Sequence, residues 1–252
     1  MDRSVIVTGA SRGIGKAVAL ELARAGYDLL LLARNATQLA EVCAACAKGG
    51  VLATALVLDV TSRDAGEQLA KAARAMPRRI WALVNNAGMA QSAPLSQTDD
   101  ELLLKHMELN LHAPMRLTRA AVPLMGSGCV VNVCSTAALT GYSYVSAYAA
   151  SKHALLGATR SLAREFAQKG ITFNAVCPGY VRTEMFEQTL SNIASKAKLD
   201  KAGAEQKLAA LSPQNRVFDP GEVAKLVRFV LSDDARGING QALTIDGGEI
   251  EH

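Results

Sequence analysis

The feature that most constrains this chain is a rhythm. Short runs rich in Val, Ile and Leu recur along it, separated by longer amphipathic stretches in which apolar residues return at helical spacing. Runs so short read as strands buried on both sides, and parallel strands need a long crossover, usually a helix. The expected strands are 4–8, 28–33, 52–58, 80–84, 128–134, 172–176 and 242–245; the expected helices are 14–25, 36–47, 63–74, 99–124, 145–167 and 220–231. This alternation predicts an α/β fold: a doubly wound, mainly parallel sheet of seven strands, helices on both faces, and a ligand crevice at the carboxyl ends of the strands.

The 252 residues suffice for one large domain whose core needs no disulfide or metal. Aromatic residues make up only 4% of the chain, so that core is expected to be built of Ala, Val, Leu and Ile. One segment, 183–216, is polar and helical but carries no strand, and reads either as a lid at the ligand edge or as a solvent-facing helix pair.

Charge excludes several partners. The 27 basic residues are interleaved with 23 acids for a net +4, and the densest basic spot, PRRI at 77–80, reads as a solvated loop. No nucleic-acid partner is expected. Five cysteines, Cys43, Cys46, Cys129, Cys134 and Cys177, form an odd set without framework spacing, which suits free thiols in a reducing cytoplasm. Cys43 and Cys46 lie mid-helix with no second ligand pair, so they read as packing residues, and no metal site is expected. The N-terminus reads as neither signal peptide nor membrane span, and the chain as cytoplasmic.

VIVTGASRGIGKAVALELA follows the first strand with Gly9, Gly13 and Gly15 and then opens a helix. Glycines there let the backbone approach a pyrophosphate while helix N-terminal amides point at it. The G-x-x-x-G-x-G spacing is neither G-x-G-x-x-G nor a P-loop.

With that turn, the chain resembles the short-chain dehydrogenase/reductase family, and most closely its ketoacyl reductases. The resemblance rests on TGASRGIG (8–15), Asp59 and Val60, NNAG (85–88), Asn110, Ser135, YAASK (148–152) and PGYVRT (178–183), in that order along the whole chain. It implies a Rossmann-type domain with a nicotinamide dinucleotide held by Gly9, Ser11, Arg12, Gly13, Ile14 and Gly15. Asp59 and Val60 would meet the adenine, Asn86, Ala87 and Gly88 would support the cofactor, and Pro178, Gly179, Val181 and Thr183 would lie along its nicotinamide end. An NAD site usually offers a carboxylate at the end of the second strand, whereas a 2′-phosphate needs cations. DLLLLARN puts Asp28 at the wrong end and Arg34 at the right one, and with Arg12 in the turn this favours NADP(H) over NAD(H).

Reducing a ketone by hydride transfer needs a proton donor for the developing alkoxide, and a free tyrosine, with its pKa near ~10, improves as an anion beside an ammonium. Lys152 follows Tyr148 by one helical turn; Tyr144 also falls on the i, i+4 series, so spacing alone leaves both. The helix start separates them, because Gly141 and Ser143 put Tyr142 and Tyr144 in the preceding loop or first turn. The resemblance adds Ser135 as a hydrogen-bond partner of the substrate oxygen. It also adds Asn110 at a helix kink, holding a water that links Lys152 to solvent, and it places both Tyr148 and Lys152 against the cofactor. Thr136, His106, His112 and His153 receive no role.

The expected function is an NADP(H)-dependent reductase of a ketone to a secondary alcohol, with an acyl-CoA or acyl-carrier thioester as the favoured substrate class. The alternatives are an NAD-dependent secondary-alcohol or 3-hydroxyacyl-CoA dehydrogenase and a non-catalytic dinucleotide sensor. Arg182, Lys196, Lys198 and Lys201 would either receive an anionic carrier or form a solvated helix face. The resemblance further implies a homotetramer.

Overall fold

The apolar runs pair as the rhythm demands. A computed structural model describes residues 2–197 and 199–251; Lys198 lies outside the described residues, as does the side chain of Lys196. The strands are β1 (Ser4–Thr8), β2 (Asp28–Ala33), β3 (Ala53–Val57), β4 (Ile80–Asn85), β5 (Gly128–Val133), β6 (Ile171–Pro178) and β7 (Ala242–Ile245). They form one sheet in the order β3-β2-β1-β4-β5-β6-β7, parallel at every pairing. β1, β2, β4 and β5 are buried along their whole length, while the edge strands β3 and β7 are only partly covered.

Side-chain alternation divides the core in two. Val5, Val7, Leu29 and Leu31 face α1 (Gly13–Arg24), α2 (Ala36–Ala47) and α9 (Pro220–Val230). Ile6, Leu30 and Leu32 face the opposite layer, built on α3 (Ala65–Arg74), α5 (Ala113–Ala121) and α6 (Ser146–Phe166). Cys46 joins the first core and Cys43 packs at its margin, and all five cysteines are free thiols.

Three expectations change. The helix predicted over 99–124 is broken into α4 (Asp100–Met107), a π-turn at Glu108–His112, α5 and a 3₁₀ turn at Val122–Leu124. Pro114 is the reason: it has no N–H for the carbonyl of Asn110, so the regular ladder cannot continue. The PRRI loop is more anchored than solvated, because Arg78 ion-pairs with buried Asp28 at 3.2 Å. Trp81 beside it is buried, donates from its indole to the Leu231 carbonyl at 2.9 Å and lies under the Arg3 guanidinium at 3.8 Å. Finally, segment 183–216 has a small core of its own. α7 (Glu184–Ala197) and α8 (Lys201–Ala209) enclose their own cluster of Phe186, Leu190, Ala204, Leu208 and Val217.

A buried polar ladder joins sheet to helices near the carboxyl ends of the strands. Asn85 donates to Asn132 Oδ1 at 2.8 Å and to Thr118 Oγ1 at 3.2 Å; Asn132 donates to Thr159 Oγ1 at 2.8 Å, which donates to the Leu155 carbonyl. Buried amides must be paired, so the ladder sets how α5 and α6 are rotated against β4 and β5. Asn132→Leu leaves the Thr159 hydroxyl and the Asn85 amide each short of a partner. It is expected to cost about 2 kcal/mol and lower Tm by roughly 4–8 °C in a thermal melt; an unchanged Tm would remove the ladder from this account.

Candidate active site

The site forms where β1 and β4 part, the point at which successive crossovers leave in opposite directions. Thr8 ends β1, and its Oγ1 accepts from the backbone N–H groups of both Asn86 and Ala87 at 2.9 Å. Asn86 returns the contact, its amide donating to the carbonyls of Thr8 at 2.9 Å and Gly9 at 3.3 Å. The two loops are thereby locked together, and this leaves no room for side chains. A Cβ on Gly9 would stand 2.9 Å from Asn86 Nδ2, and one on Gly15 would stand 2.3 Å from the Gly9 carbonyl oxygen. Gly9 and Gly13 also hold φ of +65° and +54°.

Helix α1 therefore begins on backbone bare of side chains. Its N-cap residue Arg12 makes no side-chain cap, and no acidic residue lies in the first turn. Uncapped amides at the positive end of a helix, lined by glycine, suit a pyrophosphate, so the residues here fit a dinucleotide. Across the groove, Thr183 Cγ2 lies 3.3 Å from where a Gly13 Cβ would be. The 178–183 loop is held there by the Arg182 and Phe218 amides, which donate to the Phe218 and Tyr180 carbonyls at 2.9 Å.

At the second strand's end, Arg34 is 77% exposed and reaches Asp59 only at 3.9 Å. Asp59 is instead committed to the Thr61 amide and hydroxyl, which hold its carboxyl below the usual range. Val60 is buried, its carbonyl accepting from Arg116. Arg12 does not reach toward Arg34 but ion-pairs with Glu184 at the start of α7. Asp28 is occupied at the other end of β2 by the Leu52 amide and Arg78. Arg182 and Lys201, the described cations of the expected anion-receiving face, pair with Glu205 and Glu187.

The tyrosines separate cleanly. Tyr144 precedes α6 at φ +68° and is 66% exposed, its carbonyl accepting from Ala93, so it does not share a helical face with the lysine. Tyr148 lies in the first turns of α6, with its hydroxyl hydrogen-bonded by Ser135, two residues past the end of β5. Lys152 is buried, its Nζ donating to the Val133 carbonyl at 2.9 Å and standing 5.8 Å from the Tyr148 ring centre. A Cβ on Gly88 would stand 3.5 Å from that Nζ, so the NNAG turn lies against the ammonium.

Burial dominates both titrations. It pushes the Tyr148 phenol up to about 12 against the Ser135 hydrogen bond, and it lowers the Lys152 ammonium against the nearby Cys134 and Cys177 thiols. In the protein without its dinucleotide, burial is thus the larger influence on the phenol. The phenol is thus a neutral proton donor.

Asn110 sits in the π-turn, fully buried, with every side-chain donor used. Its amide donates to the Met89 carbonyl at 3.0 Å and to Ser151 Oγ at 2.9 Å, and its Oδ1 accepts from the Met89 amide at 3.0 Å. Ser151 in turn donates to the Tyr148 carbonyl at 2.7 Å. The side chain thus clamps the 86–89 turn to α6, while the Asn110 carbonyl, denied its helical partner by Pro114, remains an acceptor for the water that the resemblance implies.

Sequence reasoning missed His106, which is buried edge-on to Tyr148 with ring centres 6.3 Å apart. Its Nδ1 bonds the Leu102 carbonyl and its Nε2 accepts from the Gln91 amide, an arrangement that calls for the Nδ1–H tautomer. Nothing in its spacing marked it, since the contact crosses from α4 to α6. Glu249 was missed in the same way; it accepts at 2.5 Å, across 107 residues, from Tyr142, which the sequence placed in the loop before α6. Among the described residues no cluster of three His, Cys, Asp or Glu could hold a metal, and no helix is long and apolar enough to cross a membrane.

Comparison with known proteins agrees with this geometry. The sequence profile of the family described as short chain dehydrogenase matches residues 3–194. A Streptomyces virginiae protein provisionally named the ketoacyl reductase of the monensin polyketide synthase is 38% identical, over 98% of this chain and 97% of its own. Among solved structures, an actinorhodin polyketide ketoreductase with NADPH superposes with a TM-score of 0.92 at 31% identity, covering 100% of this chain and 98% of that one. L-sorbose reductase from Gluconobacter frateurii, complexed with NADPH and L-sorbose, superposes with a TM-score of 0.93 at 29% identity, covering 99% and 97%.

Gly15→Ala should force the α1 turn away from the Gly9 carbonyl. Dinucleotide affinity, read from NADPH fluorescence, is expected to fall at least about tenfold; wild-type affinity in a folded variant would contradict the close approach.

Proposed function

The chain belongs to the short chain dehydrogenase family, and from that premise we propose that it reduces a ketone to a secondary alcohol with NADPH. The observation that carries this reading is Tyr148 one helical turn before buried Lys152, whose Nζ stands 5.8 Å from the tyrosine ring centre and donates to the Val133 carbonyl at 2.9 Å. When bound, the reduced nicotinamide supplies the hydride. The chain's own residues handle everything else.

Ser135 and Tyr148 direct their hydroxyls at the substrate oxygen and polarise the carbonyl. Tyr148 then gives its proton to the alkoxide, for which a phenol at about 12 remains a competent acid. The Lys152 ammonium, tethered by Val133, steadies the phenolate left behind. Asn110 is a positioning residue: through Ser151 it fixes the first turn of α6, and through Met89 it fixes the loop that borders the cofactor groove.

Gly9, Ser11, Arg12, Gly13, Ile14 and Gly15 hold the pyrophosphate, while Asp59 and Val60 border the adenine. Asn86, Ala87 and Gly88 back the cofactor, and Pro178, Gly179, Val181 and Thr183 close its far end. Exposed Arg34, with Ala33 rather than an acid beside it, supports NADP(H). The α7–α8 segment acts as the lid, and the Arg12–Glu184 ion pair that crosses the groove is its latch. The substrate is a 3-oxoacyl thioester or a related ketone, as the polyketide reductases among its relatives suggest.

An NADPH-consumption screen over thioester, cyclic and aromatic ketones tests the activity. Tyr148→Phe is expected to lose at least about 100-fold in kcat while NADPH still binds; near-normal turnover would sink the assignment. For the cofactor, kcat/KM should favour NADPH over NADH by at least about tenfold, and Arg34→Ala should erase most of that preference. Equal use of both by the wild type would refute the arginine reading.

A further inference from the structure

The chain beyond β7 reads DGGEIEH, and its first three residues aim the fourth. Asp246 is buried and accepts from the Gly248 amide at 3.1 Å and the Ile250 amide at 3.0 Å. Gly247 and Gly248 take φ of +66° and +88°, a double left-handed bend that side chains would resist. The bend turns the tail back over the carboxyl ends of the strands and sets Glu249 against Gly179. There its Oε2 lies 3.1 Å from where a Gly179 Cβ would stand, so this glycine provides the carboxylate's berth.

Glu249 is enclosed by site elements. Its Oε1 accepts from the Tyr142 hydroxyl at 2.5 Å, and Tyr142 is itself hydrogen-bonded with Thr136, the neighbour of Ser135. Tyr180, next to Gly179, interacts electrostatically with both Glu249 and Tyr148. The carboxylate thus bridges the loop after β5 and the loop after β6, on the wall of the crevice that Tyr148 faces. Among the described residues no Lys or Arg pairs with Glu249, and burial raises its carboxyl above the usual range. A carboxylate offers about four acceptor positions, of which Tyr142 fills one.

We propose that Glu249 determines substrate specificity: it accepts a hydrogen bond from a hydroxyl or amine N–H on the ketone and turns away ketones that carry a carboxylate. The proposal rests on the reading that Tyr148 protonates the substrate oxygen, which places the substrate beside this wall. A donor on the substrate satisfies a half-buried acceptor that would otherwise lose its water, whereas a substrate anion meets an unscreened like charge. Tyr142 holds the acceptor in position.

The test compares kcat/KM for cyclohexanone, its ring-hydroxylated derivatives and its ring carboxylates, the substitution position scanning the distance to the carbonyl. Wild type should prefer the best hydroxylated ketone over cyclohexanone by roughly 10- to 100-fold, and Glu249→Ala should collapse that ratio. Glu249→Gln should raise the ratio of carboxylate to cyclohexanone turnover at least about tenfold. Tyr142→Phe, which frees the carboxylate but keeps its charge, should weaken the hydroxyl preference and preserve rejection of the carboxylates. NADPH affinity read alongside reports that each variant is folded. If wild type reduces these ketones but the ratios are the same in all three variants, the Glu249 proposal is overturned while the reductase reading stands. If Tyr142→Phe and both Glu249 variants lower every substrate alike, the residue is only a tail anchor and the proposal is again overturned. If wild type reduces no ketone at all, the reductase reading fails and this proposal with it.

Discussion

A parallel sheet covered by helices on both faces leaves its backbone and apolar side chains no contact with water, so polar chemistry is confined to its carboxyl edge. In this protein that edge is pinned at one place, where the Thr8 hydroxyl accepts from two successive amides of the loop after β4 and Asn86 reaches back to the carbonyls after β1. The pairing brings backbone so close to backbone that Gly9 and Gly15 admit no Cβ. Because those positions are bare, the N-terminus of α1 opens onto a groove and not onto a packed surface. Groove, clamp and catalytic face all follow from that one approach.

A second tier of buried polar contacts carries the geometry across to α6. The ladder from Asn85 through Asn132 to Thr159 fixes the rotation of the helix at its middle, and Asn110 with Ser151 fixes it at its start. These bonds lie where water is excluded, so an unpaired member is costly and the arrangement tolerates little slippage. Tyr148 and Lys152 inherit that rigidity. Burial also acts on their protons, raising the phenol and lowering the ammonium in the protein alone. A site so arranged is a proton donor by default.

Legibility varied with the range of the interaction. Strands β1, β2 and β7 and helix α2 fall where the apolar pattern puts them, because burial on two faces writes itself into consecutive residues. The break at Asn110 was readable in part. Asn is a poor helix former, but the decisive group is Pro114 four residues on, and its effect is a π-turn and not a simple bend. Tyr144 and Tyr148 were inseparable by spacing; the loop residues before α6 decided between them, and the left-handed backbone at Tyr144 is the physical form of that decision. Arg12 shows the opposite case. Its position in the glycine turn marks it for the dinucleotide, but nothing local signals its ion pair with Glu184, a residue 172 positions away.

What the sequence by itself determined is the order of elements, the glycine turn, the Y-x-x-x-K face and the location of the crevice, since each depends on residues near one another in the chain or on a burial pattern repeated along it. Only the tertiary structure decided that His106 lies against Tyr148, that Asn110 spends its side chain on Met89 and Ser151, and that a carboxylate from the tail joins Tyr142. Those contacts join distant segments through single hydrogen bonds or ring edges. A single bond leaves no periodic trace in either segment, and only the packed sheet brings its two ends together.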